Sequence, residues 1–131
     1  MYRNIAAIFA FLLNFPWMLL GVLLALVSFP TKLRLHTRPF ALIFTVRGFW
    51  WQAWLPSHKG VRACTLGNVI LLGTKLLPND LVHELIHAKQ CERVPLFHPF
   101  LYLYETLRRG YKDNKYEIEA YTKANNAYTK K

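Results

Sequence analysis

The first 79 residues contain no acidic side chain; all seven Asp and Glu residues fall between Asp80 and Glu119. No charge of either sign occurs between Ile5 and Phe29. Cysteine is scarce: Cys64 and Cys91 make no disulfide framework, and two thiols suit a reducing compartment equally well. Repeats and low-complexity segments are absent. So is any recognised nucleic-acid motif, and Lys and Arg do not cluster on one periodic helix face. The net charge of +10 is therefore not read as nucleic-acid binding. At 131 residues the chain has room for one domain and its attachments.

What is present begins with the uncharged run. Its 25 residues, IAAIFAFLLNFPWMLLGVLLALVSF, would extend about 37 Å as a helix, enough to cross a bilayer core with some tilt. Asn14, Pro16 and Gly21 interrupt it, which a transmembrane helix tolerates. The run is longer than the roughly 7–15 apolar residues of a signal peptide, and no convincing small-x-small cleavage site follows. The expectation is a single-pass anchor over residues 1–30 and a folded domain over 31–131. Lys32, Arg34 and Arg38 follow the run against Arg3 alone before it, which places the domain on the cytoplasmic side by the positive-inside tendency. The excess positive charge then reads as attraction to anionic lipid headgroups.

Beyond the run, Pro30–Pro39 reads as a basic hinge. Residues 40–46, FALIFTV, are rich in strand formers. The block at 49–54, with Trp50, Trp51 and Trp54, suits either a packed strand or an aromatic belt at headgroup depth. Residues 56–60 read as a turn, and 63–66 and 68–72 as one interrupted strand or two short ones. Pro78-Asn79-Asp80 marks a helix start, with Asn79 as N-cap, and the helix should run from Asp80 to Arg93, before Pro95. Leu81, Leu85, Ala88, Val82 and Ile86 supply its core-facing stripes. Two more helices follow, from Pro99 to Arg109 with Gly110 as stop, and from about Lys115 to Tyr128.

The first of these three helices carries His83-Glu84-Leu85-Ile86-His87, an HExxH sequence. Its histidines sit at i and i+4 on one helical face, the spacing with which two imidazoles grip one Zn²⁺. Glu84 lies beside them, placed to act as general base on a water held by the ion. A catalytic zinc site needs a third protein ligand and one open position. Cys91, eight residues beyond His83, lies about 12 Å further along the helix and is too distant. An HExxHxxGxxH site is excluded because Gln90 and Arg93 occupy the Gly and His positions. His98, which could turn back after the helix end, and Glu117 on the last helix remain. A carboxylate from a neighbouring helix is the usual partner of two such histidines, so Glu117 is preferred. Its other role would be the N3 residue of a capping box with Asn114.

HELIH followed some 30 residues later by Glu117-x-x-Ala120 resembles the gluzincin branch of the zincin metallopeptidases, particularly minimal one-domain members; the likeness runs from about Cys64 to Tyr121. The resemblance implies Glu117 as third zinc ligand. With the anchor read from the uncharged run, the expected fold class is α+β: an N-terminal transmembrane helix, then a small zincin-like domain of a short antiparallel sheet, the HExxH helix and C-terminal helices. The resemblance also implies that Leu66–Leu71 is the strand that borders the cleft and pairs with an extended substrate. Where many relatives have Asp after the Ala, this chain has Tyr121, which removes the expected support of a zinc histidine. The expected function is that of a membrane-anchored zinc endopeptidase acting on a peptide or protein. Zn²⁺ would be held by His83, His87 and Glu117, Glu84 would act as base, and a donor among Tyr111, Tyr116, Tyr121 and His98 would serve the oxyanion. The alternatives are a membrane protein that binds zinc or a partner without hydrolysis, and a basic membrane-perturbing protein in which HELIH is accidental.

Overall fold

A buried asparagine breaks the long apolar run. In the computed structural model, which describes residues 2–37, 39–51 and 62–124, the run forms two helices, α1 (Tyr2–Leu13) and α2 (Phe15–Val27). They are bent by 63° at Asn14, so the single continuous helix expected over residues 5–29 is not formed. Among the described residues no single helix is long and apolar enough to cross a membrane. The cause is local and tertiary together. Pro16 at the start of α2 has no amide hydrogen for the Leu12 carbonyl, and its ring would clash with that carbonyl in a continuous helix. The Asn14 side chain then finds partners far away in the chain: its Nδ2 donates to Cys91 O (3.0 Å), and its Oδ1 accepts from the Leu96 amide (2.9 Å).

Four strands follow: β1 (Pro30–Thr37), β2 (Phe40–Val46), β3 (Ala63–Leu66) and β4 (Val69–Leu72). They form one sheet in the order β1-β2-β4-β3. β1–β2 and β3–β4 are antiparallel, but β2 and β4 run parallel, so the sheet is mixed and not antiparallel throughout. The segment 30–39, expected as a hinge, is largely β1; its alternation of Lys32, Arg34 and His36 with Leu33 and Leu35 is the period of a strand. The stretch 66–71, expected as the substrate-pairing strand, straddles the β3–β4 turn. β4 lies inside the sheet, and among the described residues the edge on that side is β3.

At β4 both faces of the sheet are covered, which explains why that strand reads Val-Ile-Leu-Leu without alternation: all four residues are buried. On one face α2 packs through Met18 and Ala25 against Phe44, Val46, Val69 and Leu71. The approach is close enough that a Cβ on Gly21 would lie 2.8 Å from Val69 Cβ, so glycine is required there. Gly67, at φ +60°, opens the β3–β4 hairpin and lies under Trp17. The opposite face receives α3 (Asp80–Arg93), whose Ala88, Leu81 and Leu85 rest on Ala41, Ile43, Ile70 and Leu72. Val82, expected on a core stripe, is exposed instead. Two helices complete the fold, α4 (His98–Arg109) and α5 (Lys115–Ala124).

The tryptophan block divides. Phe49 is buried and Trp51 packs beside it, with its Nε1 donating to Ser28 Oγ (2.9 Å). Trp50 is exposed, its Nε1 directed to Val27 O. Trp54, the turn at 56–60, Arg38 and the end of the last helix at 125–128 lie outside the described residues.

Candidate metal centre

The helix α3 is fixed at its N-terminus by charge. Arg62 grips Asp80 with two hydrogen bonds, 2.8 and 3.0 Å, and the Leu77 amide donates to the same carboxylate at 2.9 Å. Burial alone would raise the Asp80 pKa, but Arg62 and the amide outweigh it and hold the carboxyl below its ordinary value. Asn79 occupies the N-cap position in the left-handed region (φ 70°) without a side-chain capping bond, so the start of α3 is secured by Asp80 more than by the expected cap. Along α3 the buried face carries His83, Glu84, His87, Gln90 and Cys91.

α5 packs across this face. Ala120 is fully buried against Ile86, and its small side chain lets the two helices approach. Asn114 caps α5 by accepting from the Tyr116 amide (2.9 Å), and its Nδ2 donates to Tyr102 O and Thr106 Oγ1, tying α5 to α4. Glu117, in the first turn, is thereby turned inward. Its Oε1 lies 3.0 Å from His83 Nε2 and 3.1 Å from His87 Nε2, and the two Nε2 atoms are 3.1 Å apart. All three side chains are buried.

This triangle could hold a metal ion. Three donors at 2.0–2.1 Å from a tetrahedral zinc would be about 3.3 Å apart, a few tenths of an ångström from what is found. The tautomer also fits. His87 Nδ1 meets Gln90 Oε1 at 2.9 Å, and an amide oxygen can only accept, so the proton sits on Nδ1 and leaves Nε2 with a lone pair. Gln90 is itself held, donating to Tyr116 O (3.0 Å) and Glu119 Oε1 (2.6 Å). His83 differs: its buried Nδ1 has no hydrogen-bond partner among the described residues. The Tyr121 ring lies against His83, centroids 4.2 Å apart, where the resemblance implied a carboxylate.

His98, the other candidate for third ligand, is not in the donor group. It is buried, its Nδ1 lies 3.4 Å from Cys91 Sγ, and burial depresses its pKa to about 4. Burial also pushes the Cys91 thiol up to about 12, so it stays protonated, and it stands outside the donor group. Glu119, which points away from Glu117 around α5, pairs with Arg93 and Lys123. Burial would raise its pKa, but Arg93, Gln90 and Lys123 together lower it to about 2.

A cavity of about 310 Å³ opens beside the triangle, lined by Thr65, Glu84, His87, His98, Tyr102 and Glu117 among others. Glu84 is buried in its wall, with Oε2 accepting from Thr65 Oγ1 at 2.6 Å. Tyr102 donates to Glu117 Oε2 at 2.8 Å, and Tyr111 to Oε1 at 3.2 Å. Burial, reinforced by the Glu117 charge, raises both phenols above their ordinary pKa, so both remain donors. Tyr111 also meets Tyr121, at 3.2 Å between hydroxyls, and Tyr116 stacks its edge on His98. Sequence reasoning missed Tyr102, Thr65 and the role of Gln90. Only Tyr102 left a signal: it stands one turn after His98 on an amphipathic helix. No protein-family model, curated protein or solved structure matches the chain.

Proposed function

We propose that this chain is a membrane-associated zinc metallopeptidase of the gluzincin type. The observation that carries the reading is the convergence of His83, His87 and Glu117 within hydrogen-bonding distance, beside a cavity whose wall holds a second carboxylate, Glu84. Metal storage alone gives no reason for Glu84 in that wall.

His83, His87 and Glu117 would hold the ion. Zinc, when bound, supplies a Lewis acid that polarises a carbonyl and brings the pKa of a water near neutrality. Glu84 accepts the proton of the attacking water and returns it to the leaving amine. Thr65 orients that carboxylate from β3. Tyr102 and Tyr111 hold Glu117 by hydrogen bonds; Tyr102 also lines the cavity, and its single phenolic proton can turn from Glu117 to a developing oxyanion. The edge of β3 offers backbone groups for pairing with an extended peptide. Membrane association rests on the outer surface of α1 and α2, where Ile8, Phe9, Leu12, Phe15, Leu23 and Leu26 are more than half exposed. Lys32 and Arg34, exposed on β1, add attraction to anionic lipid headgroups.

The test is cleavage of a peptide library by wild type and Glu84→Gln, both with zinc verified. The variant should lose roughly 10²–10⁴ in rate. Indistinguishable cleavage, or none by either protein, favours zinc binding without hydrolysis.

A further inference from the structure

The helix that lines the cleft with His98 and Tyr102 has an opposite face of a different kind. Phe97, Phe100, Leu101, Leu103, Tyr104 and Leu107 lie between 37% and 79% exposed, with Leu107 the most exposed. At 100° per residue the five on the helix fall within a single stripe about 160° wide, with Phe97 at its N-terminal end. His98 and Glu105 occupy the buried side. A stripe of six large apolar side chains facing water is a binding surface.

Its charge surroundings select the occupant. Arg108 flanks the stripe, and Lys112 and Lys115 follow with Asp113 between them, all exposed; Arg109 lies on the other side of the helix, paired with Glu105 at 3.7 Å. A second copy docking on this face would bring two such basic clusters together, in a chain already at +10. An anionic bilayer meets the same cluster with the opposite sign. The face also adjoins the other exposed apolar surface: the Trp17 ring of α2 meets Phe100 edge-on at 5.4 Å, and its Nε1 donates to Leu96 O at 2.7 Å.

We propose that α4 is an interfacial helix, its apolar stripe seated in the headgroup–acyl boundary of an anionic bilayer, with Arg108 at headgroup level. The cleft on the other side of α4 then lies within about one helix diameter, roughly 10 Å, of the membrane surface. This seating needs neither zinc nor catalysis.

Nitroxide labels at Leu107→Cys, Leu12→Cys and Thr122→Cys in the full chain test it, with the unsubstituted chain measuring labelling of Cys64 and Cys91. Each is reconstituted in phosphatidylcholine vesicles with and without phosphatidylglycerol. Collision with oxygen, relative to a water-soluble nickel complex, reads depth. The label at 107 should be lipid-immersed with anionic lipid, at least about tenfold more protected from nickel than the label at 122 on α5. Water exposure at 107 while 12 is immersed overturns the α4 seating and leaves the α1–α2 anchor standing. Spin–spin broadening at 107 shows a second copy there instead, and equal depth in both vesicles overturns the anionic-lipid assignment.

Discussion

His87 Nδ1 lies 2.9 Å from Gln90 Oε1, and that bond turns the opposite nitrogen toward Glu117. Gln90 reaches His87 from one turn further along the same helix, while its amide nitrogen grips α5 at Tyr116 and Glu119. One side chain thus selects the tautomer of His87 and registers the two helices that supply the triangle. Replacing it by Leu should weaken zinc affinity about 10–100-fold, the usual cost of losing such support. Competition against a chromophoric chelator measures this. Unchanged affinity in a folded Gln90→Leu protein would show that His87 needs no such partner.

Asn14 is a polar residue buried at a helix break, and it satisfies the Cys91 carbonyl near the end of α3 and the Leu96 amide in the connection to α4. Asn14→Leu leaves the Cys91 carbonyl and the Leu96 amide without that partner, at about 1–3 kcal/mol each. Denaturant unfolding in detergent or vesicles should show the loss. Restoration of a straight α1–α2 helix at no cost in stability would contradict it.

His98 makes the fold acid-sensitive in a defined window. Its folded pKa is about 4 because burial penalises the charged ring, against about 6.5 when unfolded. Between those values the unfolded chain binds the extra proton, so stability falls as pH drops from about 6.5 to 4. The full effect is at most roughly 3 kcal/mol. In His98→Gln, with zinc in excess for both proteins, the slope of stability against pH in that window should flatten. Parallel slopes would remove His98 as the cause.

The helix α3 was legible in the sequence because its signals are local. Asp80 and Arg93 bound α3 as expected, and β2 spans Phe40–Val46 as the strand formers implied. Glu117, preferred over His98 by the habit of such sites, stands in the donor group and His98 does not. Other features depend on partners distant in sequence. The break at Asn14 draws on Cys91 and Leu96, and composition alone made the run look continuous. Parallel pairing of β2 with β4 also escapes local pattern, as does the edge position of β3. β1 was misread because prolines and charges outweighed its alternation. Tyr102 reaches Glu117 only once α4 and α5 are packed.

Zinc content of the purified chain tests the triangle most directly. Wild type and His98→Gln should each hold close to one equivalent after dialysis against trace zinc, while His83→Ala and Glu117→Ala should hold far less. Zinc well below one equivalent in the wild type, unchanged by His83→Ala, would contradict the metal centre; retention by Glu117→Ala with loss in His98→Gln would move its third ligand to α4.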